Sequence, residues 1–273
     1  MASSNKNASR LSAAASDAVR LAKARYRSGA ATTRRLWFRL TRPVQDGVPP
    51  VWSERMLWIV AVAVFLTGLA AVFDPYFRPL GGPTPSVVLR FLRDMTDSMK
   101  SGWYIVPAIT LVAIIGLMDW RELRTASRRA LLTAYGRAAY ILAAIAVPGI
   151  TTNIVKQFVG RARPRMAEDF GVYSFAPFKF DSLFQGFPSG HAATAGSLAV
   201  ILMLWHPQAK WPLLGLMVVL ACTRIPAGAH YPSDVVAGFS IGAILALAIA
   251  RWLARRRAVF SFDGERTLPR LNP

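Results

Sequence analysis

"LWIVAVAVFLTGLAAVF", residues 57–73, contains no charged side chain and is long enough to cross a lipid bilayer. A transmembrane helix needs about 17–25 mainly apolar residues. Comparable blocks follow at residues 103–118, 138–158, 191–205, 213–226 and 232–250. The fourth and fifth of the six blocks are short and need flanking residues to complete a span. The pattern predicts an all-α, polytopic membrane protein built as a bundle of six transmembrane helices.

The composition of the chain agrees with a membrane location and argues against nucleic acid as a partner. Of 273 residues, 53% are hydrophobic, and 33 Lys and Arg outnumber 14 Asp and Glu. The apolar residues form long blocks with charges between them, which is typical of an integral membrane protein. A soluble nucleic-acid-binding protein spreads its basic residues over a polar surface instead. The one cysteine, Cys222, excludes an internal disulfide and a cysteine-rich zinc site.

The basic residues between the blocks predict the orientation in the membrane. Cytoplasmic loops carry an excess of Lys and Arg. Arginines cluster before the first block, between the second and third, and after the sixth, within residues 34–55, 121–129 and 251–257. We therefore expect both termini to be cytoplasmic, and we expect the protein to lie in a bacterial inner (plasma) membrane.

The same pattern divides the chain into three parts. We expect a basic cytoplasmic segment at residues 1–55, a six-helix membrane domain at residues 56–252 and a cytoplasmic tail at residues 253–273. The first part is predicted to be partly disordered or interfacial. Its residues 1–29, rich in Ala, Ser and Arg, are either disordered or form a weak amphipathic helix on an anionic leaflet.

Under this topology three polar stretches lie at the outer ends of the helices: KQFVGRARP at residues 156–164, PSGH at 188–191 and TRIPAGAHYPSD at 223–234. Lys156, Arg163 and Arg224 supply positive charge, and the arginine forks suit the oxygens of a tetrahedral oxyanion. Ser189 and Gly190 begin a helix, and a helix N-terminus presents free N–H groups to an anion. The small residues that follow favour close packing of this helix.

Two histidines accompany these cations at the same end of the predicted bundle. His230 and Asp234 are four residues apart, so on a helix the carboxylate can hold the imidazole by one nitrogen and free the other for attack. His191 comes from a different helix and is left to protonate a leaving group. Each signal alone also has a plain explanation: an interfacial histidine, an ordinary helix cap or a headgroup contact. Together they favour an anion-binding catalytic site over membrane anchoring.

The three stretches resemble, in order and spacing, the signature motifs of the type 2 phosphatidic acid phosphatase and vanadium haloperoxidase superfamily. The apolar blocks favour its membrane lipid phosphate phosphatase branch. Thr223 stands where the family usually has serine, and it keeps the hydroxyl. The resemblance implies that His230 is the nucleophile that forms a phosphohistidine, that Asp234 orients it and that His191 is the general acid. It assigns phosphate binding to Lys156, Arg163, Ser189, Gly190 and Arg224, and it implies that the site needs no metal and no other cofactor.

The aromatic loop before PSGH, at residues 169–187, indicates where the site lies, because aromatic residues favour the membrane interface. Residues 85–95 carry an apolar face that lies on the bilayer or packs the loop onto the helices. We therefore expect a phosphatase that acts at the outer, periplasmic face on a membrane lipid phosphate or diphosphate. The candidate substrates are phosphatidic acid, phosphatidylglycerol phosphate, undecaprenyl diphosphate and lipid A. The alternatives are a lipid phosphotransferase that uses the same intermediate and a non-catalytic, anion-binding membrane scaffold.

Overall fold

The computed structural model describes residues 15–24, 26–27, 29–31, 34–35, 38, 42–77, 87–118, 120, 123–264 and 267–272. The longer helices are α1 (Glu54–Phe73), α2 (Val87–Asp97), α3 (Gly102–Leu117), α4 (Thr125–Val159), α5 (Gly190–Trp205), α6 (Lys210–Cys222) and α7 (Pro232–Ala254). Single helical turns occur at Asp74–Tyr76, Pro164–Met166, Ala167–Phe170, Ser182–Phe184 and Pro207–Ala209. Two short antiparallel strands, β1 (Phe260–Ser261) and β2 (Arg270–Leu271), follow α7. The protein is mostly helical, as predicted.

Each of the six apolar blocks is helical over most of its length, but the fifth, predicted at residues 213–226, leaves its helix at Cys222 and continues as turns. In the described part of the chain, four helical stretches are long and apolar enough to cross a membrane: Glu54–Tyr76, Asp94–Leu117, Thr125–Val159 and Pro232–Ala254. Helices α5 and α6 are apolar but shorter. The chain is therefore an integral membrane protein, while the six-span bundle and the cytoplasmic termini stay predictions. Helix α4, with 35 residues, is longer than its apolar block because its first turns are polar.

Helix α5 lies at the centre of the bundle, against α4, α6 and α7. It is buried along most of its length, and two glycines bring its backbone into contact with that of α7. A Cβ atom at Gly242 would lie 1.9 Å from the carbonyl oxygen of Ala193, and a Cβ atom at Gly196 would lie 2.0 Å from that of Phe239. The prediction that small residues at the start of α5 allow close packing is therefore confirmed.

Helices α1 and α3 form the periphery of the bundle. Helix α1 packs on α7, and α3 packs on α4. Their outward faces are apolar: the side chain of Phe65 is 68% exposed and that of Trp103 is 69% exposed. Exposed apolar surfaces of this extent suit contact with lipid tails rather than with water.

A buried arginine joins the segment before α1 and the segment after α7 to the end of α7. Arg251 is 1% exposed. Its guanidinium donates hydrogen bonds to the backbone oxygens of Pro50, Val51 and Thr267 and to the hydroxyl of Ser53. The β1–β2 hairpin packs on α4 through Phe260, whose ring centroid lies 4.7 Å from that of Tyr140. The C-terminal residues are thus folded against the bundle.

The N-terminal segment contains helix before α1. Residues 15–24 are helical, and residues 1–14 lie outside the described residues. Further along this segment, Gly29 lies against α3, because a Cβ atom there would be 2.6 Å from the carbonyl oxygen of Gly116. Contact of this segment with an anionic leaflet stays a prediction, as does the division of the chain into three parts.

The contact between α5 and α7 predicts opposite outcomes for two glycine-to-alanine substitutions. Gly242→Ala places a methyl group against backbone atoms, which cannot move aside without separating the helices. We expect the free energy of unfolding to fall by about 1–3 kcal/mol, which lowers the apparent Tm by several degrees. Gly215→Ala in α6 is the matched control, because no atom lies within 4 Å of its Cβ position. Thermal unfolding of both variants in detergent tests this, and an equal Tm for the two would contradict the packing.

Candidate functional site

The loop after α4, the start of α5 and the α6–α7 connection meet at one end of the bundle. The backbone N–H of Ser189 donates to the carbonyl oxygen of Asp234 at 2.9 Å. The ammonium of Lys156 lies 3.7 Å from the position of a Cβ atom at Gly190. The structure therefore brings together all of the predicted site residues: Lys156, Arg163, Ser189, Gly190, His191, Arg224, His230 and Asp234.

The chain leaves α4 through a turn that directs Arg163 toward the α6–α7 connection. Gly160 ends the helix with a left-handed φ of 59°, and a Cβ atom there would lie 2.1 Å from the carbonyl oxygen of Ala176. Only glycine fits this position. Arg163 has the extended backbone expected of a residue before proline. Its guanidinium donates to the carbonyl oxygens of Ser182 at 2.8 Å and Ala229 at 3.4 Å.

The start of α5 is a capped helix N-terminus, as predicted. Ser189 is the N-cap, and its side-chain oxygen accepts from the backbone N–H of Ala192 at 3.4 Å. The sequence left open whether this hydroxyl caps the helix or donates to an anion. As an acceptor in the cap, the hydroxyl still keeps its own proton for a second partner. The other N–H groups of the first turn, beginning with Gly190, lie at the positive end of the helix dipole.

Two buried polar atoms at this site have no hydrogen-bond partner among the described residues. They are Nε2 of His191 and Nε of Arg224. A buried polar group without a partner costs about 1–3 kcal/mol. Burial, and after it the neighbouring charge of Arg163, lowers the pKa of Arg224 to about 10. Two neighbouring positive charges and two unpartnered polar atoms thus lie at the same site. An anion with several oxygens would neutralise the charges and supply the missing hydrogen-bond partners.

His230 is held by a backbone carbonyl as well as by its predicted partner. Its Nδ1 lies 2.7 Å from the carbonyl oxygen of Gly186 and 3.7 Å from Oδ2 of Asp234. A carbonyl oxygen can only accept, so Nδ1 carries the proton and Nε2 keeps its lone pair. The hydrogen bond that we expected from Asp234 therefore goes to Gly186. Asp234 Oδ2 is engaged instead by the backbone N–H of Tyr231 at 2.8 Å, and it acts on His230 through its charge.

Sequence reasoning missed a buried charged cluster beside this histidine. Arg161 donates from Nη1 to Oδ1 of Asp234 at 2.8 Å and to Oγ of Ser233 at 2.7 Å, and from Nη2 to Oδ2 of Asp74 at 2.9 Å. Asp74 follows α1 directly and is fully buried. An acidic residue at the end of an apolar block is the signal that would have singled it out.

Helix α2 is attached to the same end of the bundle. The hydroxyl of Thr223 donates to the carbonyl oxygen of Leu220 at 2.7 Å and forms a hydrogen bond with the hydroxyl of Thr96. The residue that replaces the usual serine thus docks α2. Five of the seven aromatic residues in the loop before α5 are half or more exposed, among them Phe175 at 53% and Phe180 at 72%, whereas Phe184 is buried. Their contact with the bilayer, like that of α2, stays a prediction.

The chemistry of the donors does not suggest a metal centre. Within the described residues, no three His, Cys, Asp or Glu side chains are grouped in a way that could hold a metal ion. The acidic groups closest to His230 are already engaged by Arg161 and by backbone N–H groups. Independence from metal ions stays a prediction.

Comparison with known proteins adds a family match to this geometry. The sequence model of the family described as the PAP2 superfamily matches residues 137–258, which include all of the predicted site residues. The lipid A 1-phosphatase of Rhizobium johnstonii is 34% identical over 222 residues, which cover 80% of this chain and 88% of that protein. The lipid A 1-phosphatase of Rhizobium etli is 33% identical over 230 residues, covering 83% and 97%. The undecaprenyl-diphosphatase of Sulfolobus acidocaldarius is 40% identical over 58 residues, covering 20% and 28%.

The burial of His230 predicts an unusual titration. Burial lowers its pKa to about 4, and the nearby Asp234 opposes that change only in part. The imidazole should therefore stay neutral, with Nδ1 protonated, until the pH falls through about 4, whereas an ordinary histidine titrates near 6.5. The measurement is a pH series of nitrogen chemical shifts in protein labelled with [15N]histidine. His230→Gln assigns the resonance, and a midpoint near pH 6.5 would contradict the buried, carbonyl-bound tautomer.

Proposed function

This chain belongs to the PAP2 superfamily and is a phosphoric ester hydrolase that acts on lipid phosphates, and we propose that its substrate is the 1-phosphate of lipid A. The observation that carries this choice is the extent of the similarity. The two lipid A 1-phosphatases match over 88% and 97% of their own lengths, far beyond the residues of the family match. Undecaprenyl-diphosphatases match over smaller shares of this chain, 20% for that of Sulfolobus acidocaldarius and 53% for that of Bacillus subtilis. Helices outside the family match, which would contact the lipid, therefore resemble those of the lipid A enzymes.

In the proposed first step, Nε2 of His230 attacks the phosphorus atom in line with the bond to the leaving oxygen. The N–P bond forms as the P–O bond breaks, and protonated His191 gives its proton to the leaving oxygen. The tautomer supports this role, because Gly186 holds Nδ1–H and leaves the Nε2 lone pair free. The imidazole becomes positively charged, and the carboxylate of Asp234 at 3.7 Å stabilises that charge.

The phosphoryl oxygens gather negative charge during this transfer, and the proposed binding set neutralises it. Lys156, Arg163 and Arg224 provide fixed cations, while Ser189 and the first N–H groups of α5 provide hydrogen-bond donors. Prearranged donors and charges of this kind supply most of the catalysis in phosphoryl transfer. The unpartnered Nε of Arg224 supports its place in this set.

In the second step a water molecule attacks the phosphohistidine. His191, neutral after the first step, takes a proton from the water as the new O–P bond forms. The N–P bond breaks, inorganic phosphate leaves and His230 regains its lone pair. If another hydroxyl replaced the water, the same intermediate would make the protein a phosphotransferase, which stays the second candidate function.

We further propose that this site faces the periplasm from a bacterial inner membrane and that all six apolar helices span it. Helix α5 supports six spans despite its length, because its neighbours bury most of it. An even number of spans leaves both termini on one side. The arginines after α7 support a cytoplasmic location for that side.

The proposed function predicts the behaviour of two histidine variants. His230→Ala removes the nucleophile, so phosphate release should fall by at least about 10³-fold and the acid-labile phosphoenzyme should disappear. His206→Ala is the matched control, an exposed histidine at the opposite end of α5. Phosphate release is measured on lipid A monophosphorylated at the 1- or the 4′-position, phosphatidic acid and undecaprenyl diphosphate, with and without a chelator.

Each outcome of this assay decides a separate part of the proposal. We expect the highest kcat/KM on the 1-phosphate, competitive inhibition by vanadate and no effect of chelation. A preference for another lipid would overturn the substrate, and phosphate that appears on an added lipid acceptor would indicate the phosphotransferase. Full activity of His230→Ala would overturn the mechanism.

The orientation predicts which positions a membrane-impermeant thiol reagent can reach. In a Cys222→Ser background, Phe180→Cys should be labelled in intact cells whose outer membrane has been permeabilised. Asp263→Cys, near the β1–β2 hairpin, should be labelled only after the inner membrane is opened. Both native side chains are exposed, so burial does not limit the reaction. The reverse pattern would overturn the periplasmic site.

A further inference from the structure

The structure points to two residues that no signature motif assigns a role: we propose that Asp74 and Arg161 are positioning residues for His230. They act through Asp234, Ser233 and the loop that carries Gly186, without touching the substrate. This inference rests on the proposed role of His230 as the nucleophile. It adds that α1, which lies outside the family match, takes part in aligning the reaction.

Arg161 supports both groups that face Nδ1 of His230. Its guanidinium holds Oδ1 of Asp234 at 2.8 Å. Its carbonyl oxygen accepts the backbone N–H of Gly186 at 2.8 Å, and the carbonyl oxygen of Gly186 in turn accepts from His230 at 2.7 Å. Because one residue fixes both partners, a displacement of Arg161 would rotate the imidazole and move Nε2 off the line of attack.

The Nη groups of the Arg161 guanidinium are not available to the phosphate, while its buried Nε has no hydrogen-bond partner among the described residues. Its four Nη hydrogens are used by Ser233, Asp234, Asp74 and the carbonyl oxygen of Val172, the last at 3.2 Å. The ring of Tyr231 lies 4.4 Å from its central carbon and excludes water from that face. Arg161 is therefore distinct from Lys156, Arg163 and Arg224, although it lies between the first two in sequence.

Asp74 offsets the positive charge of Arg161, so that the negative charge of Asp234 still acts on His230. The side chains of Arg161, Asp74 and Asp234 are 4%, 0% and 0% exposed, so their charges are poorly screened. Two carboxylates and one guanidinium leave one net negative charge in the cluster. Without Asp74, the guanidinium would neutralise Asp234, which would then stabilise the imidazolium of the phosphohistidine less well.

Asp74 also holds the first turn of α7. Its Oδ1 accepts the backbone N–H of Ser233 at 3.0 Å, and its Oδ2 accepts the Ser233 hydroxyl at 2.5 Å. A carboxylate in this place accepts a hydrogen bond from an N–H group that has no partner within the helix, and its negative charge interacts favourably with the positive end of the helix dipole. The end of α1 is thereby fixed to the turn that follows His230. A buried ion cluster contributes little net stability, which favours a role in geometry over one in folding alone.

The test compares Asp74→Asn with wild type and with Asp263→Asn as control. Asparagine keeps the shape and an acceptor oxygen but removes the charge, and Asp263 forms an exposed ion pair with Arg270 at 3.0 Å. For Asp74→Asn we expect kcat to fall by about 10–100-fold, the range for loss of a supporting contact, with KM changed less than about threefold. Inhibition by inorganic phosphate should be unchanged, because the binding cations are intact. The Asp263→Asn control should match wild type.

Three outcomes would overturn the inference. The first is a kcat within about threefold of wild type in folded Asp74→Asn protein. The second is a decrease in kcat that is fully explained by a smaller fraction of folded protein. The third is a weakening of inhibition by inorganic phosphate by the same factor as the decrease in kcat. Ser233→Ala decides the question if Asp74→Asn does not fold, since it removes the hydroxyl that joins Arg161 to Asp74 and leaves every charge and the backbone N–H bond to Asp74 in place. Its kcat should fall by about 3–10-fold, and an unchanged kcat would overturn the inference.

Rapid-quench measurement of the phosphoenzyme separates this inference from the proposed function. If His230 is not the nucleophile, wild type forms no phosphohistidine and no variant can be compared with it. If only the inference fails, wild type forms the intermediate and Asp74→Asn forms it at the same rate. The inference holds when wild type forms it and Asp74→Asn forms it more slowly by the same factor as kcat.

Discussion

Backbone contact between α5 and α7 sets the geometry on which the rest of the site depends. Where these helices meet at the candidate site, a Cβ atom at Gly238 would lie 2.2 Å from the carbonyl oxygen of Ser189. The same Ser189 donates its N–H to the carbonyl oxygen of Asp234. Since these contacts join main-chain atoms, side-chain motion does not change the separation of the two segments. The capped start of α5 therefore faces the His230 segment at a fixed distance, which transfer between a bound phosphate and a nucleophile requires.

The charged residues at this end of the bundle form two groups with different partners. In the group around Arg161, the Nη atoms are satisfied internally, by carboxylates and by hydroxyl and carbonyl oxygens. The other group consists of Lys156, Arg163 and Arg224; burial first, and then the charge of Arg163, lowers the pKa of Arg224. Gathering like charges in a half-buried site costs folding free energy, and in the proposed function a bound phosphate would offset part of that cost. The proposed anion site would also account for basic residues at both ends of the bundle, against the simple excess of arginine expected on the cytoplasmic side.

The sequence predicted the helices and the group of site residues because both depend on side-chain type. An uninterrupted apolar block such as that of α1 has few alternatives to a helix, and the alternating direction of successive spans predicted that the three polar stretches lie at the same end of the bundle. The partner of His230 could not be predicted in the same way. The carbonyl oxygen of Gly186 reaches Nδ1 only because the loop folds back onto Arg161 through a backbone hydrogen bond, and any residue type supplies a carbonyl. Asp74 was missed because its partners are distant in sequence, and the polar first turns of α4 were missed because apolar patterning does not register them.

The length of α5 has a consequence for the kind of substrate that the site can accept. Its 16 residues extend about 24 Å, less than the roughly 30 Å thickness of the hydrocarbon core. In the proposed topology, a cytoplasmic end at the membrane surface places the capped outer end of α5 at or below the opposite headgroups. A water-soluble phosphate would have to lose its hydration to reach that depth. A lipid presents its phosphate there already, with its tails beside the apolar faces of α1 and α3, so a central helix too short to span by itself selects for lipid phosphates.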